Sequence, residues 1–121
     1  MKQAKNHGNR DFKLKKDDLD ALLCALPLVY HTFGDSPADD IIAEGCVKSA
    51  GEKLLGMLQG GSASFTYAEH CTIADAIAVA LDVVSGCAPE IAQKLDAERL
   101  NELHPRVFSL NRLHSYYQEI M

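Results

Sequence analysis

Apolar side chains recur at every third or fourth position along most of this 121-residue chain, and this spacing constrains its fold more than any other feature. The pattern is clearest in residues 19–33, 41–58 and 73–84. It places apolar groups on one face of an α-helix, whereas a half-buried strand requires alternation at every second residue. We therefore expect an all-α fold, a compact antiparallel bundle of four to five helices.

Proline, glycine and capping residues predict where the first two helices begin and end. Asp17 or Asp18 is expected to cap the first helix, and Pro27 to kink or break it, because proline lacks a backbone donor. Gly34 then closes this segment, and Ser36-Pro37 predicts that a second helix begins at Pro37. The second helix has an apolar stripe that is expected to face the core, formed by Ile41, Ile42, Cys46, Ala50, Leu54, Met57 and Leu58.

A third helix is expected to be the most buried one. Thr66 and Glu69 form a capping box that predicts its start near Tyr67, and Gly86 predicts its end after Ser85. Few ionic side chains interrupt this segment, so its polar stripe is narrow.

The remaining sequence predicts two further helical segments. Pro89 can begin the first of these, with a break near Asp96. The last is expected from about Arg106 to Glu119, because its apolar residues again fall on one stripe.

Charge is unevenly distributed along the chain. Residues 1–16 carry a net charge of +5, and the remaining 105 residues carry −10. We interpret residues 1–15 as a flexible basic arm attached to one helical domain, residues 16–121. The arm can contact nucleic-acid phosphates through counterion release, and the side chains that would do so are Lys2, Lys5, Arg10, Lys13, Lys15 and Lys16.

Histidine and cysteine give only a weak indication of a metal or thiol site. His70, Cys71 and Asp75 lie together at the start of the third predicted helix, but zinc requires three or four convergent ligands. The alternative is that His70 is a partly exposed helix residue and that Cys71 packs in the core. The four cysteines are Cys24, Cys46, Cys71 and Cys87, and their wide spacing favours free, buried thiols over a disulfide or zinc framework.

Aromatic residues near the ends of the predicted helices suggest a surface for a partner. Tyrosine and phenylalanine are favoured at interfaces because each adds a large contact area. The candidates are Tyr30, Phe33, Phe108, Tyr116 and Tyr117.

The sequence contains none of the nucleophile, phosphate-loop or dinucleotide motifs that would identify an enzyme, and we predict no cofactor. The expected function is a non-catalytic helical protein-interaction module, such as a small regulator, inhibitor, immunity protein or complex subunit. Its expected partner is another protein or a second copy of itself. Two alternatives are a nucleic-acid-associated protein that uses the basic arm, and a metal- or thiol-dependent enzyme or sensor near His70.

No apolar run is long enough for a membrane span, and we expect a cytoplasmic protein.

Overall fold

The computed structural model describes residues 14–33 and 36–120, and these residues form helices without a β-strand. The helices are α1 (Lys16–Ala25), α2 (Pro37–Leu58), α3 (Tyr67–Ser85), α4 (Pro89–Ala92), α5 (Ala97–Leu103) and α6 (Val107–Ile120). Two 3₁₀-helices, Leu26–Thr32 and His104–Arg106, continue α1 and α5. The prediction of an all-α fold is confirmed.

The first helix begins two or three residues earlier than the capping pattern predicted. Lys15 is its N-cap, and the backbone N–H of Lys15 donates to the carboxylate of Asp18 over 3.0 Å. Asp18 is therefore a buried residue of the first turn and not the cap itself. Pro27 breaks the α-helix as expected, since α1 ends at Ala25 and the chain continues as a 3₁₀-helix.

The predicted boundaries of α2 and α3 are confirmed. Ser36 caps α2, and its hydroxyl accepts a hydrogen bond from the N–H of Asp39. The predicted capping box of Thr66 and Glu69 opens α3, and Gly86 closes it with a φ of +86°. Such a left-handed conformation favours glycine because a Cβ atom would be strained there.

The core surrounds α3, which contacts α1, α2, α6 and the 3₁₀-helix Leu26–Thr32. One side of α3 is fully buried and includes Ile73, Ile77 and Ala80. Alanine at this contact lets the neighbouring helices approach closely. Phe65, which has no exposed surface, closes the core at the start of α3.

The C-terminal helices follow the predicted interruptions. The short α4 begins at Pro89, Asp96 caps α5, and α6 buries Leu110 and Leu113 against the core. None of the helices in the described part of the chain has the length and apolar composition of a membrane span.

Candidate interaction surface

The N-terminal half of α2 exposes apolar side chains to solvent. Ile41 is 71% exposed and Ile42 is 64% exposed, whereas the buried residues of α2 all lie from Val47 onward. The expectation that both isoleucines face the core is therefore wrong. Periodicity identifies residues that share a helix face, but it does not show whether another element packs on that face.

The exposed side of α2 is a continuous stripe along the helix. Ile41, Gly45, Lys48, Glu52 and Leu55 are all exposed, and each follows the previous one after three or four residues. We call these five residues the α2 stripe. With a rise of about 1.5 Å per residue, the stripe is about 21 Å long. Its ends are apolar, and its centre carries one positive and one negative charge.

A shallow groove of about 370 Å³ runs beside the C-terminal half of the α2 stripe. The far wall of the groove is formed by Pro27 and Tyr30 of the first 3₁₀-helix, and its near wall by Val47, Gly51 and Leu55 of α2. Most of its lining side chains are apolar. Tyr30 is 39% exposed, and Leu55 is 48% exposed, so the groove offers large side chains to a binding partner.

The five aromatic residues suggested by the sequence do not form one surface. Tyr30 and Phe33 make an edge-to-face pair with ring centroids 5.2 Å apart, and Phe33 is packed against the core. Phe108 stands on α6 and is 80% exposed. Tyr116 is half-buried and Tyr117 is buried, and these rings pack edge-to-face on each other. Only Tyr30 borders the groove beside α2.

His70 is buried, in contrast to the expectation of a partly exposed residue. It follows the spacing of Ile73 and Ile77, so it lies on the core face of α3. Its Nδ1 atom is 2.9 Å from the hydroxyl oxygen of Tyr117, within hydrogen-bonding distance. Burial raises the pKa of Tyr117 above its ordinary value, which keeps the phenol neutral. This pair joins α3 to α6 within the core.

The structure does not group the candidate metal ligands. Among residues 14–33 and 36–120, no three His, Cys, Asp or Glu side chains are placed to share a metal ion. His70 faces Tyr117, Cys71 is half-buried, and Asp75 is exposed.

The expectation of buried cysteines is also wrong, because three of the four are half-buried and Cys87 is exposed. All four thiols, which lie within the described residues, are free.

A second cleft brings a thiol close to charged groups. Cys24 lines a cavity of about 270 Å³ together with Asp20, Arg99, Glu102 and Arg106. Burial raises the pKa of Cys24, and Glu102 and Asp20 act in the same direction, against the two arginines. The thiol is therefore predominantly protonated at neutral pH and poorly suited to act as a nucleophile.

A partly buried ion pair joins α2 to the start of α3. Lys53 Nζ lies 2.6 Å from Glu69 Oε1, donates to the carbonyl of Ser64 over 2.8 Å, and is 5.7 Å from the centre of the Phe65 ring. Burial alone would raise the pKa of Glu69, but hydrogen bonds from Lys53, Ser49 and Thr66 outweigh it and lower the pKa. These contacts hold the C-terminal half of α2, which carries Glu52 and Leu55 of the α2 stripe, against the start of α3.

Four of the six proposed nucleic-acid contacts lie outside the described residues. Lys2, Lys5, Arg10 and Lys13 lie outside the described part, as does Gly34, the predicted end of the first helical segment. Lys15 and Lys16 are described and exposed at the start of α1. The arm therefore stays a sequence-based prediction.

The comparisons with known proteins give no relationship: no family model, curated protein or solved structure matches this chain.

Proposed function

We propose that this chain is a non-catalytic protein-interaction module that binds a helix of its partner along the α2 stripe. The observation that carries the proposal is the exposure of Ile41 and Leu55 at the two ends of the stripe, whose apolar side chains the described part of the chain leaves uncovered. Binding of a partner that removes such apolar surface from water lowers the free energy of the system.

The shape of the surface supports a helical partner. The α2 stripe runs along one face of a single 22-residue helix, and the groove beside it is lined mostly by apolar residues, among them Tyr30 and Leu55. A partner helix can place apolar residues at every third or fourth position into such a groove, which is a common mode of peptide recognition.

Affinity capture with matched variants tests this function. The full chain, the double variant Ile41→Ser/Leu55→Ser and the single variant Phe108→Ser are immobilised and exposed to an extract of the source cells. A partner that uses the α2 stripe is retained by the wild type and by Phe108→Ser, and its capture falls about tenfold or more with the double variant. Phe108 is the matched control because it is a large apolar side chain, 80% exposed, that lies on α6.

Two results would contradict the proposal. If the double variant captures the partner as well as the wild type does, the α2 stripe is not the binding surface. If Phe108→Ser alone loses the partner, the interaction surface lies on α6. Circular dichroism of each variant establishes that the helical fold is intact.

A further inference from the structure

The exposed side of α2 has the residue spacing at which two helices pair along their length. Successive members of the α2 stripe are separated by four, three, four and three residues, and a further step of four reaches the exposed Gln59 at the C-cap. This alternation is the spacing of the a and d positions of a coiled coil, here with large apolar side chains at Ile41 and Leu55 and with glycine or polar residues at the other positions. From Ile41 to Gln59 the seam is about 27 Å long.

We infer that the partner of this seam is α2 of a second copy of the chain, packed in the antiparallel direction. The inference rests on the proposed function, since it names the partner of the same surface. When two seams run in opposite directions about a twofold axis near residue 50, Lys48 of each copy lies opposite Glu52 of the other. The two copies therefore form two identical pairs of opposite charge.

Charge favours this direction over the parallel one. In a parallel pair with the two seams in register, Lys48 would face Lys48 and Glu52 would face Glu52, so both central layers would hold like charges. Among the described residues of one copy, the ion-pair contact of Lys48 is a long one of 4.0 Å with Glu44, and 69% of the Lys48 side chain is exposed. Its ammonium group is thus available for a partner.

The layer on either side of the central charges pairs a large residue with a small one. In the antiparallel arrangement Leu55 of one copy lies opposite Gly45 of the other. A Cβ atom placed on Gly45 would meet no other atom within 4 Å, so the space above this residue is open to an incoming side chain. Leu55 is 48% exposed and can fill that space. At the ends of the seam, Ile41 covers the aliphatic part of Gln59 of the second copy.

Charge reversal combined with analytical ultracentrifugation tests the arrangement. The wild type is expected to form a dimer as its concentration rises. Lys48→Glu or Glu52→Lys alone places like charges in both central layers, and each is expected to raise the dimer dissociation constant about tenfold or more. An equimolar mixture of the two single variants regains complementary layers, and so does the double variant Lys48→Glu/Glu52→Lys.

Matched controls make the result specific. Lys94→Glu and Glu90→Lys carry the same charge changes at exposed positions away from α2 and are expected to leave the dimer unchanged. The inference is overturned if the wild type stays monomeric throughout, if the single reversals do not weaken the dimer, or if the mixture fails to restore it. A monomeric wild type that still captures a protein through Ile41 and Leu55 would reject self-pairing alone and retain the proposed function.

Discussion

At the level of single residues, the buried polar groups of this protein are positioned by specific partners. Glu69 is the clearest example because one carboxylate serves two purposes. It caps α3 by accepting the N–H of Thr66 over 2.8 Å, and it pairs with Lys53 of α2. A buried carboxylate with such partners stabilises the fold only while it is ionised.

This pairing predicts how stability depends on pH. The folded pKa of Glu69 lies below its ordinary value of 4.5, so its stabilisation is complete above that value and is lost as the pH falls through the lower folded pKa. Glu69→Gln removes this contribution. Urea denaturation should therefore show a large difference in unfolding free energy between wild type and variant at neutral pH, and a smaller one in acid.

The exposed Glu90 provides the control for this measurement. Glu90→Gln is expected to follow the wild-type pH dependence, since its side chain is exposed in the short α4. A difference for Glu69→Gln that stays constant from neutral to acidic pH would show that ionisation of Glu69 does not contribute.

His70 shows what residue-level sequence reasoning missed. Its polarity suggested partial exposure, but its spacing from Ile73 and Ile77 places it on the buried face of α3. The position on the helix, combined with a hydrogen-bonding partner from α6, outweighs the polarity of the ring. The periodic signal was present, whereas the identity of Tyr117 as the partner depends on tertiary packing.

At the level of helices, local signals predicted the boundaries well. Ser36-Pro37, the Thr66 capping box and Gly86 each act within a few residues of the helix end, so they can be recognised in the sequence. The exposure of Ile41 and Ile42 could not be recognised in this way, because it depends on which elements reach the first turns of α2. The described contacts leave those turns exposed.

Gly86 supports a prediction for α3. Gly86→Ala forces a Cβ atom into a conformation with φ of +86° and is expected to lower the free energy of unfolding by about 1 kcal/mol. The same change at Gly56, where a Cβ would meet no atom within 4 Å, should instead raise stability by about 0.5 kcal/mol or more, because alanine favours the helix. Chemical denaturation of both variants measures the contrast. Equal effects at the two sites would refute the assigned role of Gly86.

At the level of the whole molecule, one ion pair connects the first and last helices. Arg112 of α6 donates to the carboxylate of Asp18, which is 1% exposed on α1. The same carboxylate accepts a hydrogen bond from the backbone N–H of Lys15. The Asp18 carboxylate therefore supports both the start of α1 and the contact of α1 with α6. The sequence offered no signal for this pair, since its members are 94 residues apart.

Removing the arginine should therefore destabilise the whole fold. Arg112→Met leaves the Asp18 carboxylate buried without its cation and is expected to lower the free energy of unfolding by about 2 kcal/mol. Lys94→Met, which alters an exposed cation, should change it by less than about 0.5 kcal/mol. Urea denaturation compares the two. Adding Asp18→Asn to Arg112→Met should recover part of the loss, and a strictly additive effect would argue against a direct interaction.

The connection between Asp18 and Arg112 also has a consequence for biosynthesis. A ribosome releases α1 long before α6, and during that interval the carboxylate of Asp18 has no guanidinium to pair with. The N-terminal helix can pack against α2 and α3 as they emerge, but the Asp18 carboxylate gains its ion-pair partner only when residue 112 has emerged. Completion of the native structure is delayed until nearly all of the described chain has been translated.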